Sequence, residues 1–181
     1  FSNNALGQTC CRQMCEVLKT NLTLAVLELK FNPRLGNHEI KMMANFIRLY
    51  NPPLLSLSLG QMVFGDDVTA AFGKVLSRED SCLQTLEIPR NRLLSTSAKR
   101  IATALSNNTT LTSLVLAQNP ISSKGVNYIS SMLGINSTIR HLDLEAVGFD
   151  QAAAKSLGQA FLVNTALMHV DLSYNNLGAH G

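Results

Sequence analysis

The chain has 181 residues, 46% of them apolar and 15% charged, and fifteen Lys and Arg against twelve Asp and Glu leave a formal charge of +3. That apolar content supports a buried core and excludes a disordered chain. The small, scattered positive charge does not suit a nucleic-acid or membrane-surface protein, and no apolar run approaches the length of a membrane-spanning helix.

Four cysteines, three of them bunched at Cys10, Cys11 and Cys15, do not form the paired framework of a small secreted domain. A reducing, cytoplasmic compartment is the expectation. Cys11 and Cys15 are four apart and share a helix face. No Cys-x-x-Cys occurs and Cys82 lies two units away, so these thiols read as small buried residues, not as zinc ligands.

Beyond this first helix one pattern recurs. Leu-x-x-Leu-x-Leu, or a close variant, is centred on Leu27, Leu57, Leu86, Leu114, Leu142 and Val170, at intervals of 30, 29, 28, 28 and 28 residues. Each match alternates apolar and outward positions, as a short half-buried strand does. Helically spaced apolar residues lie between the matches: Ile40, Met43 and Ile47; Val68, Phe72 and Val75; Ile101 and Leu105; Val126, Ile129 and Leu133; Leu157 and Phe161. The units therefore read as strand, turn, helix, turn. Strands joined by helical crossovers run parallel, and stacked units make a solenoid.

Asn follows the last apolar position of the strand pattern by three residues in several units: Leu29 to Asn32, Ile88 to Asn91, Leu116 to Asn119 and Leu172 to Asn175. With this feature the chain resembles the leucine-rich repeats, in particular the long-repeat class of ribonuclease inhibitor, over essentially its whole length. The resemblance implies a right-handed α/β solenoid, with a parallel sheet on the concave face and helices on the convex face. It implies that the Asn side chain satisfies backbone groups in the turn. Met62 and Val147 replace that Asn, which predicts looser or differently bonded turns there. One domain of about six repeats spans 1–181. Asn3–Gly7 aligns with Asn32–Gly36 and Ser173–Gly178 starts another turn, so the chain reads as a fragment of a longer repeat array, truncated at both ends.

Sequons at Asn21, Asn107, Asn108 and Asn136 fall between a helix and the next strand. They are assigned to structure, not glycosylation: Asn tolerates the left-handed backbone at a helix end, and Thr suits the approach to a strand.

The outward strand positions carry the candidate binding residues. Adjacent strands lie about 4.8 Å apart, so equivalent residues form columns. The middle column is Glu28, Ser58, Glu87, Val115, Asp143 and Asp171, without Lys or Arg. At its C-terminal end His141 stands beside His169, and Asp143 and Glu145 stand near Asp171. Such groups suit metal ligation or acid–base work, but parallel strands hold them side by side instead of converging. They are read as an acidic, partly titratable surface on which protonated His relieves repulsion between carboxylates. Ser56, Ser58 and Gly60 leave the second strand nearly bare.

The expected function is non-catalytic protein–protein recognition, by a module of a larger scaffold or receptor. The partner-binding set is Glu28, Ser58, Glu87, Val115, His141, Asp143, Glu145, His169 and Asp171, facing a protein with a basic patch, with no cofactor, metal, nucleic acid or membrane. No phosphate loop, Gly-x-Ser-x-Gly or His-Glu-x-x-His is present. The resemblance extends to NOD-like receptors, to tropomodulin and related actin regulators, and to Ran GTPase-activating proteins. Two alternatives follow from it: an actin-regulator-type binding domain, and a GTPase-activating domain acting through a turn arginine among Arg34, Arg90 and Arg92.

Overall fold

A computed structural model describes residues 1–178. The last three residues of the expected domain, Ala179, His180 and Gly181, lie outside the described residues. Six helices alternate with six strands: α1 (Gln8–Thr20), β1 (Val26–Glu28), α2 (Asn37–Tyr50), β2 (Ser56–Ser58), α3 (Asp66–Leu76), β3 (Thr85–Glu87), α4 (Ser95–Leu105), β4 (Ser113–Val115), α5 (Ser122–Leu133), β5 (His141–Asp143), α6 (Gln151–Val163) and β6 (His169–Asp171). The strands form one parallel sheet in sequence order. Its register pairs Leu27 with Leu57, Leu57 with Leu86, Leu86 with Leu114, Leu114 with Leu142, and Leu142 with Val170. These are the repeat centres read from the sequence.

The core lies between sheet and helices. Leu27, Leu57, Leu86, Leu114 and Leu142 point inward and are buried, as are Ile40, Phe72, Ile101, Val126 and Leu157 from the helices. Consecutive helices pack side by side. Gly125 permits this at α4 and α5, because a side chain there would meet Ala98 Cβ at 3.1 Å and Ser95 Cα at 3.2 Å. Cys11 and Cys15 belong to this core, and all four cysteines are free thiols. A hydrogen bond with Cys15 and burial push the Cys11 thiol up, so it stays protonated.

Two asparagine ladders close the turns. In the first, Asn119 Nδ2 donates to Leu116 O and, across to the previous unit, to Ile88 O, while its Oδ1 accepts from Asn91 N and Leu93 N. Each asparagine thus serves two units, which explains the lapses. Met62 and Val147 are buried and apolar. Their turns are held by the following unit, through Asn91 to Met62 N and Leu59 O, and through Asn175 to Gly148 N and Leu144 O. These turns are therefore bonded from outside, not left loose. At the N-terminus it is Asn4, one residue beyond the expected Asn3, that matches Asn32: each donates to the carbonyls two and three residues back.

The second ladder accounts for three of the four sequons, those of Asn21, Asn108 and Asn136, for a reason other than left-handed geometry, while Asn107 is exposed and outside it. Asn21 and Asn164 are extended, with φ of −82° and −79°. Their Oδ1 atoms accept from the backbone N–H groups two and three residues on, as do those of Asn108 and Asn136. Asn136 Nδ2 donates to Leu105 O and Asn164 Nδ2 to Leu133 O, carbonyls at the ends of the preceding helices. Asn164 does this without belonging to a sequon. Asn51 is the helix-end asparagine that adopts the left-handed region, with φ +43°.

Candidate functional site

The outward face of the sheet divides into two differently bonded ends. At the N-terminal end Glu87 lies between two donors. Lys30 Nζ lies 2.8 Å from Glu87 Oε2, and Ser58 Oγ donates to the same oxygen at 2.8 Å. Lys30 belongs to the first unit and Glu87 to the third. The bare second strand lets the lysine cross: Ser58 is only 2% exposed and Gly60 is buried under Pro89, whose Cγ would lie 3.1 Å from an added Cβ. The middle column thus has its cation after all, supplied by a neighbouring column. Burial alone would raise the Glu87 carboxyl, but the hydrogen bonds from Lys30 and Ser58 and the lysine charge outweigh it and hold it below its ordinary value. Glu28 is exposed at the edge strand.

At the C-terminal end the register places His141 beside His169 and Asp143 beside Asp171. The two imidazoles stack, with centroids 4.5 Å apart and planes inclined by 21°. Stacked rings direct their nitrogens along parallel planes, and among the described residues no group of three or more His, Cys, Asp or Glu is arranged to hold a metal ion. Among the described residues the ion pairs involve neither Asp143, Glu145 nor Asp171. Their partners are local: Asp143 Oδ1 accepts from Glu145 N at 2.9 Å, Glu145 Oε1 from Gln118 Nε2 at 3.1 Å, and Asp171 Oδ1 from Ser173 N and Oγ. Burial, with the charges of Asp171 and Glu145, pushes the Asp143 carboxyl up despite the bond from Glu145 N. The bonds from Ser173 pull Asp171 down. One member of the carboxylate pair is thus poised to take a proton before the other. Val115 is half-buried between the two ends.

The turns carry a feature that the sequence did not announce. Phe31, Gln61, Arg90, Gln118, Ala146 and Tyr174 all have φ between +50° and +60°. They occupy one equivalent position per unit. The first five donate their N–H to Gly60 O, Pro89 O, Ala117 O, Glu145 O and Ser173 O of the following unit. None of these six is Gly or Asn, although Asn3 shares the conformation and donates to Lys30 O, so residue type gave little signal; their spacing, which repeats that of the strands, did. Arg90 is one of them, and its Nε donates to Gln118 Oε1 at 2.5 Å. Arg34 and Arg92 are exposed.

A family model described as leucine-rich repeat matches residues 107–130 and 163–181. No curated protein matches in sequence. Among solved structures, the C-terminal domain of tropomodulin from Caenorhabditis elegans aligns with a TM-score of 0.71 at 11% identity, over 85% of this chain and 92% of that one. Leiomodin-1 actin-binding site 2 aligns with a TM-score of 0.53 at 17% identity, over 87% of this chain and 76% of that one. The six in-register strands, the turn asparagines and these matches lead to one conclusion: the chain has the leucine-rich-repeat solenoid fold and is similar to the ribonuclease-inhibitor-like class.

Proposed function

We propose that this protein is a non-catalytic recognition module that binds a protein partner through the concave face, centred on His141, Asp143, Glu145, His169 and Asp171. Val115 borders that centre, and Glu28 and Glu87 form its far flank, with the expected contact Ser58 buried beneath them and acting through its bond to Glu87. One observation carries the reading. The carboxylates of β5 and β6 have no cationic partner among the described residues, whereas Glu87 has Lys30. A cationic patch on a partner supplies the missing charge, steers encounter and fixes register. The rigid sheet presents the groups already ordered, which lowers the entropy cost of binding. Four free thiols fit a reducing, intracellular setting.

Affinity capture followed by mass spectrometry tests this, with the wild type beside Asp143→Lys/Asp171→Lys. A protein retained by the wild type and lost by the variant is the expected result. Identical sets from both would remove the concave face from the account.

Two structural neighbours favour a more specific second reading, an actin-regulator-type binding domain. One is a tropomodulin domain and the other carries the name of an actin-binding site. Co-sedimentation with actin filaments and titration of actin monomers decide it. Saturable binding weakened by the double variant supports actin as the partner, and no binding to either form rejects it.

A further inference from the structure

We propose that a cleft on the convex helix layer binds an extended, acidic segment of a protein partner. The cleft has a volume of about 760 Å³ and is lined by Arg48 of α2, Lys74 of α3, Arg78 just beyond it, and Lys99 and Arg100 of α4. Five of the fifteen Lys and Arg of the chain thus meet in one place, although no basic run exists in the sequence. Arg48 lies in the last turn of α2, and Arg78 lies just past the C-terminal end of α3, so two successive helix ends contribute to the cleft.

Two carboxylates adjoin the cleft. Asp80 takes Arg78, with Nη2 at 2.6 Å, and Asp66 accepts from the Thr96 and Ser97 hydroxyls and lies 3.6 Å from Arg100. Five cations less two carboxylates leave +3. Among the described residues Arg48, Lys74 and Lys99 make no ion pair. Arg48 Nε is moreover a buried donor without an acceptor, a state that costs free energy until an acceptor arrives. Arg78 Nη1 is tied to Arg48 O, which fixes one wall.

Shape and chemistry select the occupant. Packed helices lie about 8–10 Å apart, so a cleft touching three of them extends over roughly 16–20 Å. That is too long for a single phosphate and equals about five or six extended residues. Ala70, Gly73 and Ala104 also line it, so a backbone can approach closely. Ser77, Thr96 and Thr103 also line it, but their hydroxyls donate to Gly73 O, Asp66 Oδ2 and Lys99 O, so the cations are the groups that face a ligand. No aromatic ring lines the cleft for bases to stack on. The fork of arginine matches a carboxylate in two-pronged geometry.

The test is fluorescence anisotropy with a labelled hexaglutamate peptide. Saturable binding is expected, weakened at least tenfold by Lys74→Glu/Lys99→Glu and steeply by added salt. Lys155→Gln, on α6 and outside the cleft lining, leaves it intact. Lys74→Gln/Lys99→Gln removes charge without adding repulsion and is expected to weaken binding at least threefold if the reversal variant fails to fold. Arg48→Lys keeps the charge, removes the buried Nε donor and is expected to cost at least threefold. Absence of saturable binding, or equal affinity in the wild type and both Lys74/Lys99 variants, overturns the proposal. So does tighter binding of a single-stranded RNA oligomer or of vesicles containing phosphatidylserine, which would assign the cleft to another class of ligand.

Discussion

The two ends of the concave sheet share one backbone and differ in how their charges are matched. At β3 the outward acid Glu87 is neutralised within the protein, since Lys30 crosses the bare second strand to it and Ser58 completes the bonding, while Glu28 at the edge strand stays exposed. Around β5 and β6 the ion pairs among the described residues include no such cation, and the acids rely on neighbouring N–H and hydroxyl groups. The lesson is that equal spacing of equal charges does not make equal surfaces. Glu87 and Asp143 of one column respond to pH with opposite sign, because bonds from Lys30 and Ser58 outweigh burial at Glu87, whereas burial and the charges of Asp171 and Glu145 prevail at Asp143.

The largest expected effect separates the core from this surface contrast. Leu57→Ala and Leu142→Ala each remove a fully buried side chain from equivalent positions at the two ends. Both are expected to cost about 2–5 kcal/mol by chemical denaturation. A loss at one end far below the other would show that the ends differ in packing as well as in charge.

Next comes the turn ladder. Asn119→Ala strands three carbonyls and two N–H groups of buried turns. An expected cost of about 3 kcal/mol follows from leaving such groups unpaired. Asn175→Ala, at a more exposed rung, is expected to cost about 1 kcal/mol. Equal costs would mean that the ladder does not depend on burial.

The smallest effects address the contrast itself. Glu87 has a lowered carboxyl, so its stabilising contribution is present above the ordinary value of 4.5 and is lost as pH falls through the lowered one. Lys30→Ala is expected to cost under about 1 kcal/mol at neutral pH, because both side chains are partly exposed, and to flatten the acid limb of the stability profile. Asp143 is raised, so its contribution is present below the ordinary 3.8 and is lost as pH rises through the raised value. Asp143→Asn is expected to stabilise the protein at neutral pH by under about 1 kcal/mol and to make no difference near pH 3. Thermal melts of both variants between pH 3 and pH 7 check the pair. Slopes of the same sign would contradict the contrast.

Much of the architecture was legible in the sequence, because a period near 28 residues dictates parallel strands, their register and the columns of outward residues. The adjacency of His141 with His169 and of Asp143 with Asp171 follows from that arithmetic. Three features did not follow. The reach of Lys30 to Glu87 depends on how much room Ser58 and Gly60 leave, a matter of side-chain volume rather than of pattern. The left-handed residues at the strand exits carry little compositional mark, since backbone bonds to the next unit, not Gly or Asn, hold them. The convex cleft gathers its charge from three helices, where counting runs along the chain finds nothing.

The central claim is that a partner docks on the C-terminal end of the concave face. Hydrogen–deuterium exchange of the protein alone and with the captured partner tests it most directly. Added protection at residues 141–146 and 169–174, with none at 56–61, is the predicted result. Protection confined to the convex helices, leaving β5 and β6 unchanged, would contradict it.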